Sequence, residues 1–413
     1  MTLEFHKLTG QVERMGELLA HELDDLDDKS DIALEMMNTW GGAEALEEIQ
    51  RRVAHAISPE VDAGYRGARP LDEVIAAAHP PPEVPVSSTL IATDGSQILP
   101  NRHGPALYYL INTGTIVMSH GSGEAPIARS EPYLFFEREH VRTRDRMLVT
   151  AATVAARRTV AEMSALAENV WNQRDAARPL VALLDGPLLF FMGAEVPDKE
   201  QLRNVYYSAM TRIMDSKAGL AGYVDVPRSR FVVGLLHLLS LPEENVSRGT
   251  LATDGALEGL TDRWVFERIL GPGERSSLFV QMSPQNRDYR QEAGDSHEIC
   301  FFYMNVASGD APEPHIARVE VPMWVADNRR LVGELQALLY QQCEHLVTRY
   351  PYALVRADEL AVVRGDEERQ LRTMIKISLT RHGVGARESE KQQGKDVSRT
   401  AKTRHKVTGG ARR

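Results

Sequence analysis

The sequence predicts an α/β protein built on a mixed sheet with flanking helices. Short apolar runs typical of buried strands alternate with longer stretches in which apolar residues recur at helical spacing. No self-similar period of roughly 20 to 50 residues recurs, so a repeat fold is not expected. With 413 residues, of which 43% are hydrophobic and 26% charged, the chain is long enough to bury a large core.

The pattern of strands and helices divides the chain into six predicted regions. They are a helical N-terminal region (1–58), a Pro-rich connector that is not expected to pack (59–88), the first part of the sheet core (89–240), an inserted β-rich region with its own small sheet (241–325), C-terminal helices that complete the core (326–380) and a basic disordered tail (381–413).

Each region of the core has a predicted order of elements. In the first part we expect strands over 89–94, 106–112 and 115–118, a helix over 142–173, a strand over 179–185, a helix over 200–215, a strand over 220–226 and a helix from 230. The inserted region has strand candidates over 277–281, 297–305 and 317–324. Helices over 328–350 and up to 365 follow, and then a helix or strand over 371–379.

The formal net charge of −10 hides a basic segment at the end of the chain. Residues 381–413 contain ten Lys and Arg residues against three acids, a balance of 10 − 3 = +7, so residues 1–380 carry −10 − 7 = −17. Because this segment has almost no apolar side chains, we expect it to be disordered. A further hypothesis is that it tethers nucleic-acid phosphates.

Cysteine content and apolar runs exclude several classes of protein. Two cysteines, Cys300 and Cys343, exclude a disulfide scaffold and a cysteine-based zinc module, and they suit a reducing compartment. No apolar run reaches the roughly 18 residues that cross a membrane, and the first residues lack the order of a signal peptide. We therefore expect a cytoplasmic protein without a membrane segment. Walker A and G-x-S-x-G motifs are missing, which disfavours P-loop ATP hydrolysis and serine-hydrolase chemistry.

Two aspartates occupy equivalent positions in the predicted sheet. Asp94 and Asp185 each close an apolar run and each precede a glycine, so we expect both at the rim where ligands of α/β folds bind. Neighbouring carboxylates repel each other, and a divalent cation between them relieves the repulsion. The alternative is that each Asp-Gly pair is only a turn.

Further oxygen ligands for a hard cation are expected from helical acids. Asp145, Glu162 and Glu168 lie in the predicted helix between the two aspartates, and Glu162 follows a basic pair in the middle of that helix. Asp358 lies on a later helix. Acids on a helix are ordinarily part of its solvated face, so these positions are weaker candidates from the residues alone.

A set of motifs in fixed order resembles the NurA family of nucleases over about residues 86–365. The motifs are ATDGSQ (92–97), LLDGPLL (183–189), GYVDVPRS (222–229), LTDRWVFERILGPGERSSLF (260–279), FFYMNV (301–306), ARVEVPMWVA (317–326) and YPYALVRAD (350–358). The resemblance implies an RNase H-like fold and a manganese-dependent nuclease, with magnesium as an alternative. It also implies endonuclease and exonuclease activity on single-stranded DNA and DNA ends, a homodimer, and a HerA-like hexameric ATPase as partner in DNA end processing.

The resemblance also implies a set of site residues. The catalytic residues are Asp94, Glu162, Asp185, Tyr350 and Asp358, the four acids being metal ligands. With two metal ions, Asp94 is expected to bridge both, Asp185 and Glu162 to complete one, and Asp358 the other. Two positions depart from the family pattern: Asp358 stands where the family has His, and Asp225 where a Lys is expected. Arg228, Arg230 and Arg275 are the expected nucleic-acid contacts.

Other readings of the sequence stay open. One is a non-catalytic docking subunit with the same fold, and another is an RNase H-like nuclease that acts on RNA hybrids or branched DNA. A sugar-kinase-type phosphotransferase is disfavoured, because no second glycine-rich nucleotide motif follows Asp94-Gly95. The N-terminal helices are the expected docking surface for a partner, through apolar residues such as Leu18, Leu19, Met36 and Met37, unless these cover the protein's own sheet.

Overall fold

A computed structural model describes residues 4–143, 146–311, 313–344 and 348–384, except for the side chains of residues 21, 22 and 24. The candidate Asp145 lies outside this part of the chain. So do residues 385–413, which form most of the predicted basic tail.

Helices occupy most of the regions where the sequence predicts them. The α-helices of the described residues are α1 (Thr9–Thr39), α2 (Ala45–Ile57), α3 (Arg138–Val141), α4 (Ala151–Asn172), α5 (Lys199–Asp215), α6 (Phe231–Ser240), α7 (Asp262–Phe266), α8 (Pro284–Ala293), α9 (Met323–Ala326), α10 (Arg329–Glu344), α11 (Tyr352–Ala361) and α12 (Gly365–Arg381). The long predicted helix begins at residue 151 rather than 142, because Thr150 is its N-cap and accepts a hydrogen bond from the backbone N–H of Thr153.

Eleven strands of the described chain form a single mixed sheet. They are β1 (Ala68–Pro70), β2 (Ala78–His79), β3 (Ser88–Ile98), β4 (Tyr109–His120), β5 (Ile127–Phe135), β6 (Leu180–Asp185), β7 (Gly219–Val224), β8 (Arg275–Ser276), β9 (Phe279–Gln281), β10 (Ile299–Asn305) and β11 (Ile316–Pro322). Their order is β1-β9-β10-β11-β7-β6-β3-β4-β5, with β8 beside β10 and β2 beside β8. Strands β3, β6 and β7 are parallel to one another, and the remaining pairs are antiparallel.

The strands of region 241–325 belong to this same sheet, so the prediction of a separate small sheet is wrong. Strand β11 pairs with β7, and β10 pairs with β11 along its whole length. Both strands are buried at every residue. Strands covered on both faces are typical of the centre of a sheet rather than of a small peripheral one.

The Pro-rich segment 59–88 also packs, contrary to the sequence prediction. It supplies β1 and β2, which pair with β9 and β8. Ala68 and Ile75 are fully buried. Proline is compatible with short strands at a sheet edge, where one side of the backbone has no partner, and this explains why the composition was misleading.

The antiparallel hairpin that follows β3 differs from its prediction. The two short strands expected on either side of Gly114 are one strand, β4, and the third strand of the meander is β5. Gly114 is not in a turn, because it lies within β4 and pairs with Asp94 and Ser130. A Cβ there would collide with the backbone oxygen of Ala357, so the glycine allows α11 to approach the sheet closely. Strand β5 escaped prediction because it is an exposed edge strand without apolar alternation.

Helices cover both faces of the sheet. On one face, α10 and α11 pack against alternate residues of β3, β6, β7, β10 and β11. On the other, α4 and α5 cover β3 and β6, while α1, α2, α6 and α7 cover the β9 and β10 side. No helix of the described chain is long and apolar enough to cross a membrane.

Candidate active site

Asp94 and Asp185 lie side by side on neighbouring parallel strands. The register of β3 and β6 pairs Thr93 with Leu184, so the next residue of each strand is one of the two aspartates. Adjacent strands are about 4.8 Å apart. Strand β6 ends at Asp185 as predicted, whereas β3 continues past Asp94 to Ile98. The convergence of the two aspartates therefore comes from the parallel register rather than from two equivalent strand ends.

Both aspartates point toward the face covered by α10 and α11. Leu90 and Ala92 precede Asp94 at alternate positions, as Val181 and Leu183 precede Asp185, and these apolar residues all pack in the core on that face. Because side chains alternate along a strand, the aspartates follow them. Asp225 continues the same alternation just after β7, so three neighbouring parallel strands carry an aspartate at this end of the sheet.

Glu162 reaches the aspartates from the opposite layer. It lies on α4, is only 8% exposed, and packs over Gly95. A Cβ at Gly95 would collide with Oε1 of Glu162, so the glycine after Asp94 leaves the space through which this carboxylate enters. Glu168, the other helical candidate, is exposed. The structure thus brings Glu162, and not Glu168, to Asp94.

Arg158 lies one helical turn before Glu162 and faces it. Its Nε is 3.0 Å from Oε1 of Glu162, a close ion pair. The contact lacks hydrogen-bond geometry, and both of these buried atoms are without a hydrogen-bond partner among the described residues. Glu162 therefore has an oxygen that is buried, charged when ionised, and open to another ligand.

Tyr350 and Asp358 complete the group from the α11 side. The hydroxyl of Tyr350 donates a hydrogen bond to Oδ1 of Asp185 at 2.5 Å, and its ring packs edge-on against Tyr223. Asp358 is exposed on α11, which is held to the hairpin by the side chains of Ser96 and Asn112 bonding its last carbonyl oxygens. We call Asp94, Glu162, Asp185 and Asp358 the acid cluster.

Three carboxyl groups of the acid cluster, those of Asp94, Glu162 and Asp185, have raised pKa values. Burial raises the pKa of Asp94 to about 6, with the charges of Asp185 and Asp358 adding to the shift. Burial likewise raises the pKa of Glu162 to about 7, although Arg158 opposes it. Asp185 keeps an exposed surface, yet the protein around its carboxyl group displaces enough water to raise its pKa. The cluster is therefore an electrostatically strained group of acids.

A divalent cation fits this set of residues. All four acids offer the hard oxygen donors that Mg²⁺ and Mn²⁺ prefer, their mutual repulsion would be relieved by positive charge, and Glu162 has an unpartnered buried oxygen. Within the described part of the chain, no three His, Cys, Asp or Glu side chains are already arranged as a closed ligand group. The four acids therefore lie near one another without forming a closed ligand group.

The three arginines predicted to contact nucleic acid have different surroundings. Arg228 is exposed and pairs with no acid of the described chain. Arg230 forms ion pairs with Asp254 and Glu258. Arg275 is 6% exposed, and its guanidinium forms two hydrogen bonds with the carboxylate of Glu73. The prediction for Arg275 is corrected: a buried, paired guanidinium stabilises the packing of segment 59–88 and is not available to a phosphate.

Two charged groups of the site were missed by the reasoning from sequence. Arg158 is the second residue of the basic pair that precedes Glu162, and no contact between the two was predicted. Their i, i+4 spacing could have suggested it. Asp225 was noted only as a departure from the family pattern. Its Oδ1 lies 2.6 Å from Nε2 of His315, at the start of β11, and no local signal connects these two positions.

Comparisons with solved structures identify proteins of similar fold. Among solved structures, the chain resembles the NurA nuclease from Sulfolobus solfataricus with a TM-score of 0.51 at 12% identity, covering 92% of this chain and 98% of that one. This likeness shows the fold, an RNase H-like mixed sheet. The catalytic domain of human Endonuclease V matches at a TM-score of 0.31 and 14% identity, over 71% of this chain and 84% of that one.

The family comparison covers most of the chain. A comparison with curated protein sequences gave no match. The family model described as the NurA domain matches residues 88–363, which is 363 − 88 + 1 = 276 of the 413 positions and includes every member of the acid cluster. The chain therefore belongs to the NurA family.

Proposed function

We propose that the protein is a metal-dependent nuclease that hydrolyses phosphodiester bonds in single-stranded DNA and at DNA ends. The observation that carries the proposal is the convergence of Asp94, Asp185 and Glu162 from two layers of the fold onto one end of the sheet. Membership of the NurA family supports it. Mn²⁺ is the proposed metal, and Mg²⁺ is the alternative that the same oxygen donors would accept.

The residues of the chain have separate roles in this proposal. Asp94, Glu162, Asp185 and Asp358 would hold the cation, which when bound supplies charge stabilisation and acidifies water. Tyr350 fixes the orientation of the Asp185 carboxylate through its hydroxyl. Arg158 partly balances the charge of the acids. Arg228, which is exposed at the same end of the sheet, is available to a phosphate of the substrate.

Cleavage of labelled single strands tests the proposal. Asp94→Asn keeps the shape of the side chain and removes its charge. We expect cleavage of 5′- and 3′-labelled single-stranded DNA in Mn²⁺ to slow by more than about 100-fold, since loss of an outer-sphere partner alone costs up to that much. Glu168→Gln, an exposed acid on the same helix as Glu162, is the control and should cut at the wild-type rate.

The outcomes also separate the alternatives. If the Asp94 variant cuts as fast as wild type, the site assignment is wrong. If wild type binds Mn²⁺ in calorimetry but cuts no DNA strand, RNA hybrid or branched DNA, the protein is a docking subunit instead. Faster cleavage of RNA hybrids or branched DNA than of single strands would identify those molecules as the substrate.

The proposal includes a homodimer and a HerA-like hexameric ATPase as partners in DNA end processing. Met37 is buried in the core and Met36 packs against it, so these two predicted docking residues belong to the protein's own fold. Leu18 and Leu19 on α1 are about half exposed and support a docking surface. Because α1 and α2 contribute to the core, the test is L18E/L19E rather than truncation. We expect it to abolish co-purification with the ATPase and to leave Mn²⁺ binding unchanged.

A further inference from the structure

A cavity of about 500 Å³ is lined by four arginines of the described chain. Its walls come from α3 and residues 142, 143 and 146, the first turns of α4, and the start of α5. We call it the arginine pocket. Its charged lining residues are Arg138, Arg142, Arg146, Arg157, Glu139 and Asp198. A small core of Tyr109, Val141, Val149 and Val154 supports it from below.

The pocket has an excess of positive charge. Among the lining residues that the structure describes, four arginines against two acids give 4 − 2 = +2. Nη1 of Arg157 donates to the hydroxyl of Tyr109 and to the carbonyl of His140, each at 2.7 Å. Nη1 of Arg142 donates to the carbonyl of Arg146 at 2.9 Å. These acceptors are neutral, so they orient the guanidinium groups without cancelling their charge.

Two further arginines of the pocket are available to a ligand. Arg138 and Arg146 are exposed, and neither pairs with an acid in the part of the chain that the structure describes. A guanidinium offers a planar fork of N–H donors that matches the oxygens of a phosphate, and several of them around one cavity favour an anion with more than one oxygen. The volume is within the range of a small-ligand site and exceeds what a single inorganic ion needs.

The pocket and the acid cluster lie at the same end of the sheet. Arg157 directly precedes Arg158, which contacts Glu162. The hydroxyl that Arg157 binds belongs to Tyr109, the first residue of β4, and Gly114, which pairs with Asp94, is five residues further along that strand, about 17 Å at 3.4 Å per residue. The opposite wall belongs to α5, the next helix after Asp185. A nucleic-acid strand at the acid cluster would therefore extend to the pocket.

We infer that the arginine pocket binds a phosphate group of the strand whose cleavage occurs at the acid cluster. This inference rests on the proposed nuclease function and names a second point at which the substrate is held. The phosphate has two possible sources: the terminal phosphate of a 5′ end, or an internal phosphodiester of the backbone. If the pocket binds the terminal phosphate, it sets the distance between the strand end and the cleavage site. If it binds an internal phosphodiester, it is a general contact with the backbone.

Binding of single-stranded DNA in EDTA tests the inference. The probes are two 3′-labelled oligonucleotides that differ only in a 5′-phosphate or a 5′-hydroxyl. The R138Q/R146Q variant should bind about tenfold more weakly, and its log–log salt slope should fall by about 0.7, which corresponds to one lost phosphate contact on a single strand. The control R66Q/R287Q removes two exposed arginines that line a different cavity, and should change neither quantity.

Each outcome decides the matter. Loss confined to the 5′-phosphorylated probe assigns the pocket to a terminal phosphate, and equal loss for both probes assigns it to the backbone. If R138Q/R146Q binds both probes with wild-type affinity and salt slope, the inference is wrong while the proposed function stands. If wild type binds neither DNA probe nor, in calorimetry, Mn²⁺, the proposed function fails and this inference fails with it.

Discussion

Two groups of acids in this molecule differ in how their oxygens are bonded. Asp262 is fully buried, and it accepts hydrogen bonds from the backbone N–H groups of Phe231, Val232 and Val233 and from the hydroxyl of Tyr303. Glu320 is bonded to Arg318 and to the N–H of Leu188, and Glu73 to Arg275. In the acid cluster, by contrast, Oε1 of Glu162 has no hydrogen-bond partner among the described residues.

The comparison shows that hydrogen bonding, rather than a raised pKa, separates Asp262 from the acid cluster. Burial raises the pKa of Asp262 to about 6, as it does for Asp94. Yet Asp262 accepts several hydrogen bonds, three of them from N–H groups at the start of α6. In the cluster, Asp94 accepts one from the Gly95 N–H and Asp185 one from the Tyr350 hydroxyl. Oε1 of Glu162 accepts none from the described residues. Buried polar groups in proteins almost always have a hydrogen-bond partner, so the lack of one for Oε1 of Glu162 among the described residues supports the proposed metal site.

The largest expected effect is the loss of stability when Asp262 is replaced. Asp262→Ala removes the cap of α6 and leaves three buried N–H groups and the Tyr303 hydroxyl unsatisfied. We expect the free energy of unfolding to fall by roughly 2–4 kcal/mol. Chemical denaturation measures it. Asp62→Asn, which removes a surface ion pair with Arg248, should change stability by less than about 1 kcal/mol. An undiminished stability of the Asp262 variant would contradict the structural role.

The next effect concerns the hydrogen bond that Tyr350 donates to Asp185. Tyr350→Phe removes the donor to Asp185 and leaves the carboxylate free to rotate. Loss of such an outer-sphere partner is expected to weaken Mn²⁺ binding or cleavage by roughly 10- to 100-fold. Tyr352→Phe is the matched control, because Tyr352 is exposed two residues away. Equal activity of the two variants would show that Tyr350 does not orient the site.

A smaller effect of opposite sign is expected at Arg158. Because its positive charge competes with a cation for the acids, Arg158→Gln should tighten Mn²⁺ binding in calorimetry by about fivefold, which is about 1 kcal/mol, the size of one solvent-screened charge interaction at 4 Å. Arg157→Gln, whose guanidinium binds Tyr109 and His140 instead, should have less effect. Weaker binding by the Arg158 variant would mean that this residue orders the ligands rather than competing with metal.

The smallest effect is the pH dependence of stability without metal. The pKa of Glu162 is raised from 4.5 to about 7 in the folded chain, so the folded state binds the proton more tightly. Its stabilising contribution is therefore complete below about pH 4.5 and is lost as the pH rises through about 7. In EDTA, the Tm of wild type should fall by about 2–4 °C more than that of Glu162→Gln between pH 5 and 8. Parallel curves would contradict the shift.

Much of the sheet could be predicted because its central strands have strong local signals. Strands β3 and β6 are apolar runs, and their aspartates were identified as candidate ligands from the same runs. Strand β5 is exposed at an edge and has no such pattern. Gly114 was misread as a turn because the helix that packs on it, α11, comes more than 200 residues later.

The site could be predicted in part for the same reason. The two aspartates follow from local pattern, while Glu162, Tyr350 and Asp358 depended on the family resemblance. Nothing local shows that Gly95 admits Glu162 from the opposite layer, or that the arginines of α3 and α4 surround one cavity. Charged residues on a helix have the same sequence pattern whether they face solvent or a ligand, so packing alone distinguishes them.

The most direct measurement is anomalous diffraction from crystals of the protein grown with Mn²⁺. We expect manganese density between the carboxylates of Asp94 and Asp185, in contact with Glu162, and its loss in crystals of the Asp94→Asn variant. Density elsewhere on the surface, or an acid cluster that stays free of manganese while Asp262 and Glu320 remain fully bonded, would contradict the view that the acid cluster forms a metal site.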